Sequence, residues 1–136
     1  VKRRLAVTGL AAAALAGGAV FIAVHEPGAG GLYPPCFFHE LTGLHCPGCG
    51  STRALHALLS FDLVAALSRN LLMVLLLPFL VAGAALETAA WVLGESYRGP
   101  RAKVPAPGGW VLLGVIGLYW ILRNIPFWPF SLLAPH

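Results

Sequence analysis

Three cysteines dominate the chemistry this sequence could do. Cys36 stands alone, and Cys46-Pro47-Gly48-Cys49-Gly50 follows ten residues later, running directly into Ser51-Thr52-Arg53. Two thiols separated by Pro and Gly in a tight turn can point at one centre. The proline fixes the first corner, and the glycines allow positive φ, so that backbone N–H groups can face sulfur. Zinc and iron–thiolate sites use such a knuckle but need four ligands around a tetrahedral ion. Cys36 offers a third ligand, and His39, His45 or His56 a fourth. A second close Cys pair, usual in a complete site, does not occur here.

The same spacing supports redox chemistry. A Cys-x-x-Cys leading into a helix places a thiol where the helix dipole favours thiolate, with the third cysteine as a resolving or partner-linking thiol. Against that, thioredoxin-type motifs belong to a soluble α/β domain, which nothing here encodes. The plainest reading is structural: a Cys36 disulfide to Cys46 or Cys49, or buried thiols that pack the loop. Spacing alone leaves all three readings open.

The elements that must position these residues are membrane helices. The chain has 136 residues, 58% hydrophobic and 10% charged, with a mean hydropathy of +0.79. Soluble domains carry about 25% charged residues, and a single domain of this length cannot hide so much apolar surface from water. Residues 5–24 carry no charge and suffice to cross a hydrocarbon core of about 30 Å. A cleaved signal peptide also starts with a basic run, but no small-x-small site precedes His25-Glu26-Pro27, so residues 5–24 are read as a retained span. Val1 ahead of the basic run is consistent with a GTG start codon.

Residues 25–50 form a Cys-rich loop punctuated by Pro27-Gly28, Gly30-Gly31 and Pro34-Pro35. Ser51-Thr52 offers an N-cap for a helix over 51–68, whose Leu55, Leu58, Leu59, Leu63 and Leu67 recur at helical spacing. Arg53, His56, Asp62 and Arg69 make it too polar to span, so it is read as an amphipathic helix lying at the interface or re-entrant. Residues 71–93 make the second span, containing Pro78 and Glu87, and 94–109 a basic linker. The third span is 110–125, with Trp110, Tyr119, Trp120 and Trp128 near its ends as interface anchors. The fold class expected is therefore an all-α, single-domain membrane protein with three transmembrane helices.

Charge orients it. Lys2-Arg3-Arg4 and Arg98, Arg101, Lys103 hold six of the nine basic residues. Three spans place both clusters on one side, which the positive-inside rule makes cytoplasmic. The Cys loop, Arg123-Asn124 and the C-terminus then share the outer face. A net charge of +4, scattered as it is, argues against a nucleic-acid partner; the expected partner is the lipid bilayer. Gly9, Ala13 and Gly17 form a small-xxx-small stripe that suits close packing within the chain or in a homo-oligomer.

Arg53 and Arg123 are costly near a bilayer unless they reach lipid phosphates, meet Asp62, or face the cysteines and stabilise thiolate. Asn124 can hydrogen-bond the Cys46–Gly50 turn. Glu87 is expected to snorkel or pair with another helix, with proton relay as the sharper alternative.

The stretch from Pro34-Pro35-Cys36 through Thr42-Gly43-Leu44-His45-Cys46-Pro47-Gly48-Cys49-Gly50-Ser51-Thr52-Arg53-Ala54 resembles the bacterial membrane family called domain of unknown function 2752. Arg123-Asn124-Ile125-Pro126 is similar to that family's final segment. The likeness spans about residues 33 to 130, and it singles out Gly50, Thr52, Arg53, Arg123 and Asn124 as support for the motif. The family often has Gly-Asp where Phe61-Asp62 stands and Asn-Pro where Asn70-Leu71 stands, so the turns around the middle helix are expected to differ. The resemblance implies a multi-pass protein of the bacterial inner membrane and implies no reaction. The sequence is thus read as a non-enzymatic membrane protein or accessory subunit with a structural or Zn- or Fe-binding Cys loop. Alternatives are a thiol–disulfide or metal-handling enzyme using Cys46 and Cys49, and an oligomeric channel or transporter component.

Overall fold

A computed structural model describes residues 2–28, 33–102 and 105–134. Val1, Gly30-Gly31, Lys103 and His136 lie outside the described residues. The described chain is helical, with no strand: α1 (Lys2–Val24), α2 (Phe37–Thr42), α3 (Ser51–Leu59), α4 (Leu63–Arg69), α5 (Leu71–Leu93) and α6 (Ala106–Arg123), with short 3₁₀ turns at Gly94–Ser96 and Phe130–Leu133. Three segments are long and apolar enough to cross a membrane: Lys2–Val24, Leu71–Ser96 and Ala106–Arg123. At 1.5 Å per residue α1 and α5 each reach about 35 Å and α6 about 27 Å, which matches a hydrocarbon core.

α1 exposes nearly its whole surface, as a helix solvated by lipid does, and contains no buried residue. Its first turn meets the last turns of α5: Arg4 Nη1 donates to the Trp91 carbonyl at 2.8 Å, and the guanidinium lies 5.7 Å from the Trp91 ring. The two helices therefore run antiparallel, and the basic N-terminus sits at the same end as the linker after α5. Gly9 and Gly17 have nothing within 4 Å of where a side chain would start, so the small-residue stripe faces away from the other described residues.

Two expectations change. In place of one helix over 51–68, the chain makes a helical hairpin of α3 and α4, broken at Ser60–Asp62. Phe61 adopts φ 59, a left-handed conformation that no α-helix continues through, and Asp62 then caps α4 by accepting from the Ala65 N–H at 2.9 Å. Left-handed backbone is what glycine adopts freely. Here a phenylalanine adopts it. In addition, the stretch read as loop contains the short helix α2. Its Phe38 packs edge-on against Trp120 of α6, ring centroids 5.7 Å apart, tying the Cys segment to the third span.

At the other end, Glu87 faces the linker, where its Oε1 accepts from the Ala102 N–H at 2.9 Å. The partner is the linker backbone, not another helix as expected, and Glu87 stays on the surface.

Candidate metal centre

The knuckle is built as the residue types suggest. Cys49 N–H donates to the Cys46 carbonyl at 3.1 Å and Ser51 N–H to the Gly48 carbonyl at 3.0 Å, closing consecutive turns. Gly50, at φ 83, carries the chain from the turn into α3. It is the one glycine of the knuckle in the left-handed region. Cys46 N–H points at the Cys49 sulfur, 3.3 Å away, so a backbone donor does face a thiol. The expected Ser51-Thr52 cap is displaced: Gly50 occupies the cap position without a side-chain bond, and the Ser51 hydroxyl instead accepts from Asn70 Nδ2 at 3.0 Å.

The three sulfurs converge. Cys46 Sγ lies 3.2 Å from Cys49 Sγ and 3.6 Å from Cys36 Sγ, all three lie within 4.8 Å of one another, and all are free thiols. With Zn–S bonds of about 2.3 Å, tetrahedral ligands stand about 3.8 Å apart, so small side-chain shifts suffice for three-fold coordination. The backbone N–H of His39, with help from the neighbouring thiols, holds the Cys36 thiol below its usual pKa. Burial, together with hydrogen bonds to Cys46 and Cys36, pushes Cys49 up to about 12. The cluster therefore has an ionisable outer member and a reluctant inner one in its metal-free form, and a bound cation would ionise both.

The candidate histidines stand apart from this group. His39 and His45 stack on each other, ring centroids 4.5 Å apart, and His39 Nδ1 is 3.3 Å from the Leu44 carbonyl. His56 donates Nδ1–H to the Ile22 carbonyl of α1 at 2.6 Å. Arg53 also turns elsewhere, into a cavity beside Asp62, and Thr52 is exposed on α3.

The closure of the site comes from α6 and from the start of α5. Arg123 is only 1% exposed. Its Nη1 donates to the Cys46 and Pro47 carbonyls, each at 3.1 Å, and Nη2 to the Cys49 carbonyl at 3.0 Å. Tyr119, expected as an interface anchor, is instead buried beneath the guanidinium, 5.1 Å from ring centroid to Cζ. Phosphate contact at the membrane surface is therefore not the role of Arg123; it clamps the knuckle. Asn124 reads the residue just before the knuckle, accepting from His45 N–H and donating to the His45 carbonyl, both at 2.8 Å. That double bond mimics a pair of strand hydrogen bonds and fixes where Cys46 begins.

Asn70 is the residue that sequence reasoning missed. It is 1% exposed, and its Nδ2 reaches the Pro47 and Cys49 carbonyls at 2.9 and 3.2 Å besides Ser51. Its Oδ1 caps α5 through the Met73 N–H at 3.0 Å and lies 3.4 Å from the Tyr119 hydroxyl. The signal was an asparagine directly ahead of a long apolar run, which marks a helix start but says nothing of what its amide donates to.

A buried guanidinium needs an anion or a shell of acceptors. Among the described residues no carboxylate pairs with Arg123, and its Nε is buried with no hydrogen-bond partner. The Cys46, Pro47 and Cys49 carbonyls supply that acceptor shell.

Fold and site together define a helical membrane protein with a three-thiol cluster at one end of its bundle. Within that class, residues 36–84 match the model of a family described as a protein of unknown function, DUF2752, and the resemblance drawn from the cysteine motif is borne out. The match takes in all three thiols and Asn70 and ends within α5, so Tyr119, Arg123 and Asn124 close the site from outside it. No curated protein and no solved structure matches the chain.

Proposed function

We propose that Cys36, Cys46 and Cys49 form a soft-metal thiolate site, for zinc or iron, in a small multi-pass membrane protein that serves as a non-enzymatic or accessory component. The observation that carries this reading is the convergence of three free sulfurs, drawn from two separated segments, within 4.8 Å. A disulfide needs two of them; a metal uses all three. Thiolates bound to a divalent ion leave net negative charge, which buried Arg123 offsets. Water, or His39 or His45 after a rotamer change, completes four-coordination.

The test is metal analysis of the detergent-purified chain and of Cys36→Ser. We expect about one zinc or iron per chain, as a tetrahedral site holds, and its loss in the variant. Absence of metal from both samples removes the reading.

The positive-inside rule supports an orientation in which Lys2, Arg3 and Arg4, with Arg98 and Arg101, are cytoplasmic and the thiol cluster is extracytoplasmic. In metal-free protein a membrane-impermeant thiol reagent then labels Cys36 in intact cells, and Cys49 more slowly because its thiol is buried and raised in pKa. Labelling only after lysis reverses the orientation.

The 3.2 Å approach of Cys46 to Cys49, with Cys36 on the other flank of Cys46, favours thiol–disulfide exchange as the second reading. In that reading a Cys46–Cys49 bond forms by loss of two electrons and two protons to an external disulfide, with Cys36 as the resolving thiol. Mass shifts on alkylation before and after reduction distinguish the two, because a metal site keeps three titratable thiols.

A further inference from the structure

A second site lies along α3, lined from Arg53 in its first turn to Ser60 at its end. The α3–α4 hairpin and the residues just after α1 border an open cleft of about 550 Å³, whose lining includes Glu26, Gly28, Arg53, His56, Asp62 and Arg69. Cavities of this size hold small ligands, and this one is charged in both signs: two arginines face two acids. Neither guanidinium makes a hydrogen bond or an ion pair with any described residue, so the opposite charges stand around the space without closing it. Gly28, at φ +107, brings the chain across the Arg53 guanidinium, and a Cβ there would lie 3.6 Å from its Nη2. Asp62 uses Oδ1 on its own helix cap and keeps the other oxygen. The His56 ring is fixed by its Nδ1–H bond to the Ile22 carbonyl.

The surroundings point to an amphiphile. The hairpin tip carries Phe61, 97% exposed, with Val64 at 80% and Leu63 at 55%, an apolar edge beside a charged hollow. α1 ends at Val24 after a membrane-length helix, which sets Glu26 and Gly28 at headgroup depth.

We propose that this cavity binds a phosphoethanolamine-type zwitterion, as a lipid headgroup, with the phosphate on Arg53 and Arg69 and the ammonium on Glu26 and Asp62. Arginine's fork matches phosphate oxygens in pairs. A purely anionic headgroup satisfies the arginines but faces two carboxylates, so the balance of charge selects the zwitterion. The apolar hairpin edge then lies along the acyl chains. This site is independent of the thiol cluster, and neither reading falls with the other.

The experiment is native mass spectrometry of the full-length chain in detergent with phosphatidylethanolamine and phosphatidylglycerol of matched chains, competed by soluble O-phosphoethanolamine or by inorganic phosphate. Phosphatidylethanolamine is expected to bind with at least about tenfold preference, and Arg53→Gln to weaken it about tenfold or more. Glu26→Gln, at an exposed position, is expected to abolish the preference while phosphatidylglycerol binding persists or rises. Competition by O-phosphoethanolamine at concentrations comparable to the lipid assigns the same cavity to a free metabolite instead of a lipid and overturns the lipid source. Equal binding of the two lipids, equal competition by inorganic phosphate, or unchanged binding by both variants overturns the proposal.

Discussion

Arg123→Leu is expected to destabilise the protein by about 3 kcal/mol and, on the metal reading proposed, to empty the thiol site. Hydrogen bonds from a charged donor contribute about 1.5–3 kcal/mol each, and Arg123 makes three into the knuckle. They are not equivalent. The Pro47 and Cys49 carbonyls keep Asn70 as a second donor, whereas among the described residues no other side chain donates to the Cys46 carbonyl, which keeps the turn bond from Cys49 N–H. Removing the charge also removes its own cost of burial, so the net effect falls below the sum of the three. Arg123→Lys separates charge from geometry. A single ammonium cannot fork across carbonyls on both sides of the turn, so lysine is expected to retain metal only partly and to recover less than half of the lost stability. Thermal unfolding in detergent, read with metal content, checks both variants. A leucine variant that melts with the wild type and still holds metal would show that the guanidinium is not the clamp.

The second large effect is at Asn70. Asn70→Ala removes the cap of α5, which is worth about 1 kcal/mol, and with it the amide that ties α5 to the knuckle, about another 1–2 kcal/mol for buried neutral bonds. The two roles separate in Asn70→Ser, whose hydroxyl still caps the helix but cannot reach Pro47 and Cys49. Serine is expected to recover the capping share alone. Cys49 alkylation reports the remainder: in metal-free protein it should quicken in both variants, because in both the α5 bridge over the turn is gone. Slow alkylation of Cys49 in Asn70→Ser, equal to wild type, would show that Arg123 holds the knuckle unaided.

These two residues explain how a short polar loop keeps one conformation at the end of a helical bundle. The knuckle has five residues and little apolar area of its own to bury. Its order comes from three side chains, Asn70, Arg123 and Asn124, delivered by helices that cross the membrane. The metal, on the reading proposed, adds a fourth tie. Tyr119 shapes the floor under Arg123, so a residue typical of the membrane interface is drawn inward by the clamp it supports.

Much of this was legible in the sequence because it depends on local physics. The length of each apolar run against the thickness of a bilayer gave three spans, and helix ends shifted by only a few residues. Proline and glycine between Cys46 and Cys49 determined a tight turn; Asn124, expected to bond that turn, bonds His45 just before it. The break at Phe61 was not legible, because leucines at helical spacing continue through it and a non-glycine residue gives no hint of a positive φ. Nor was the role of Asn70 or Tyr119, and for Arg123 the cysteine loop was only one of three alternatives. A polar residue at the end of a membrane helix looks the same in sequence whether it meets lipid headgroups or the backbone of a distant loop. Only the tertiary structure brings α6 across more than seventy residues of chain to the knuckle. There the carbonyls of a turn that has no helix or sheet partners of its own must find donors, and the buried guanidinium must find acceptors.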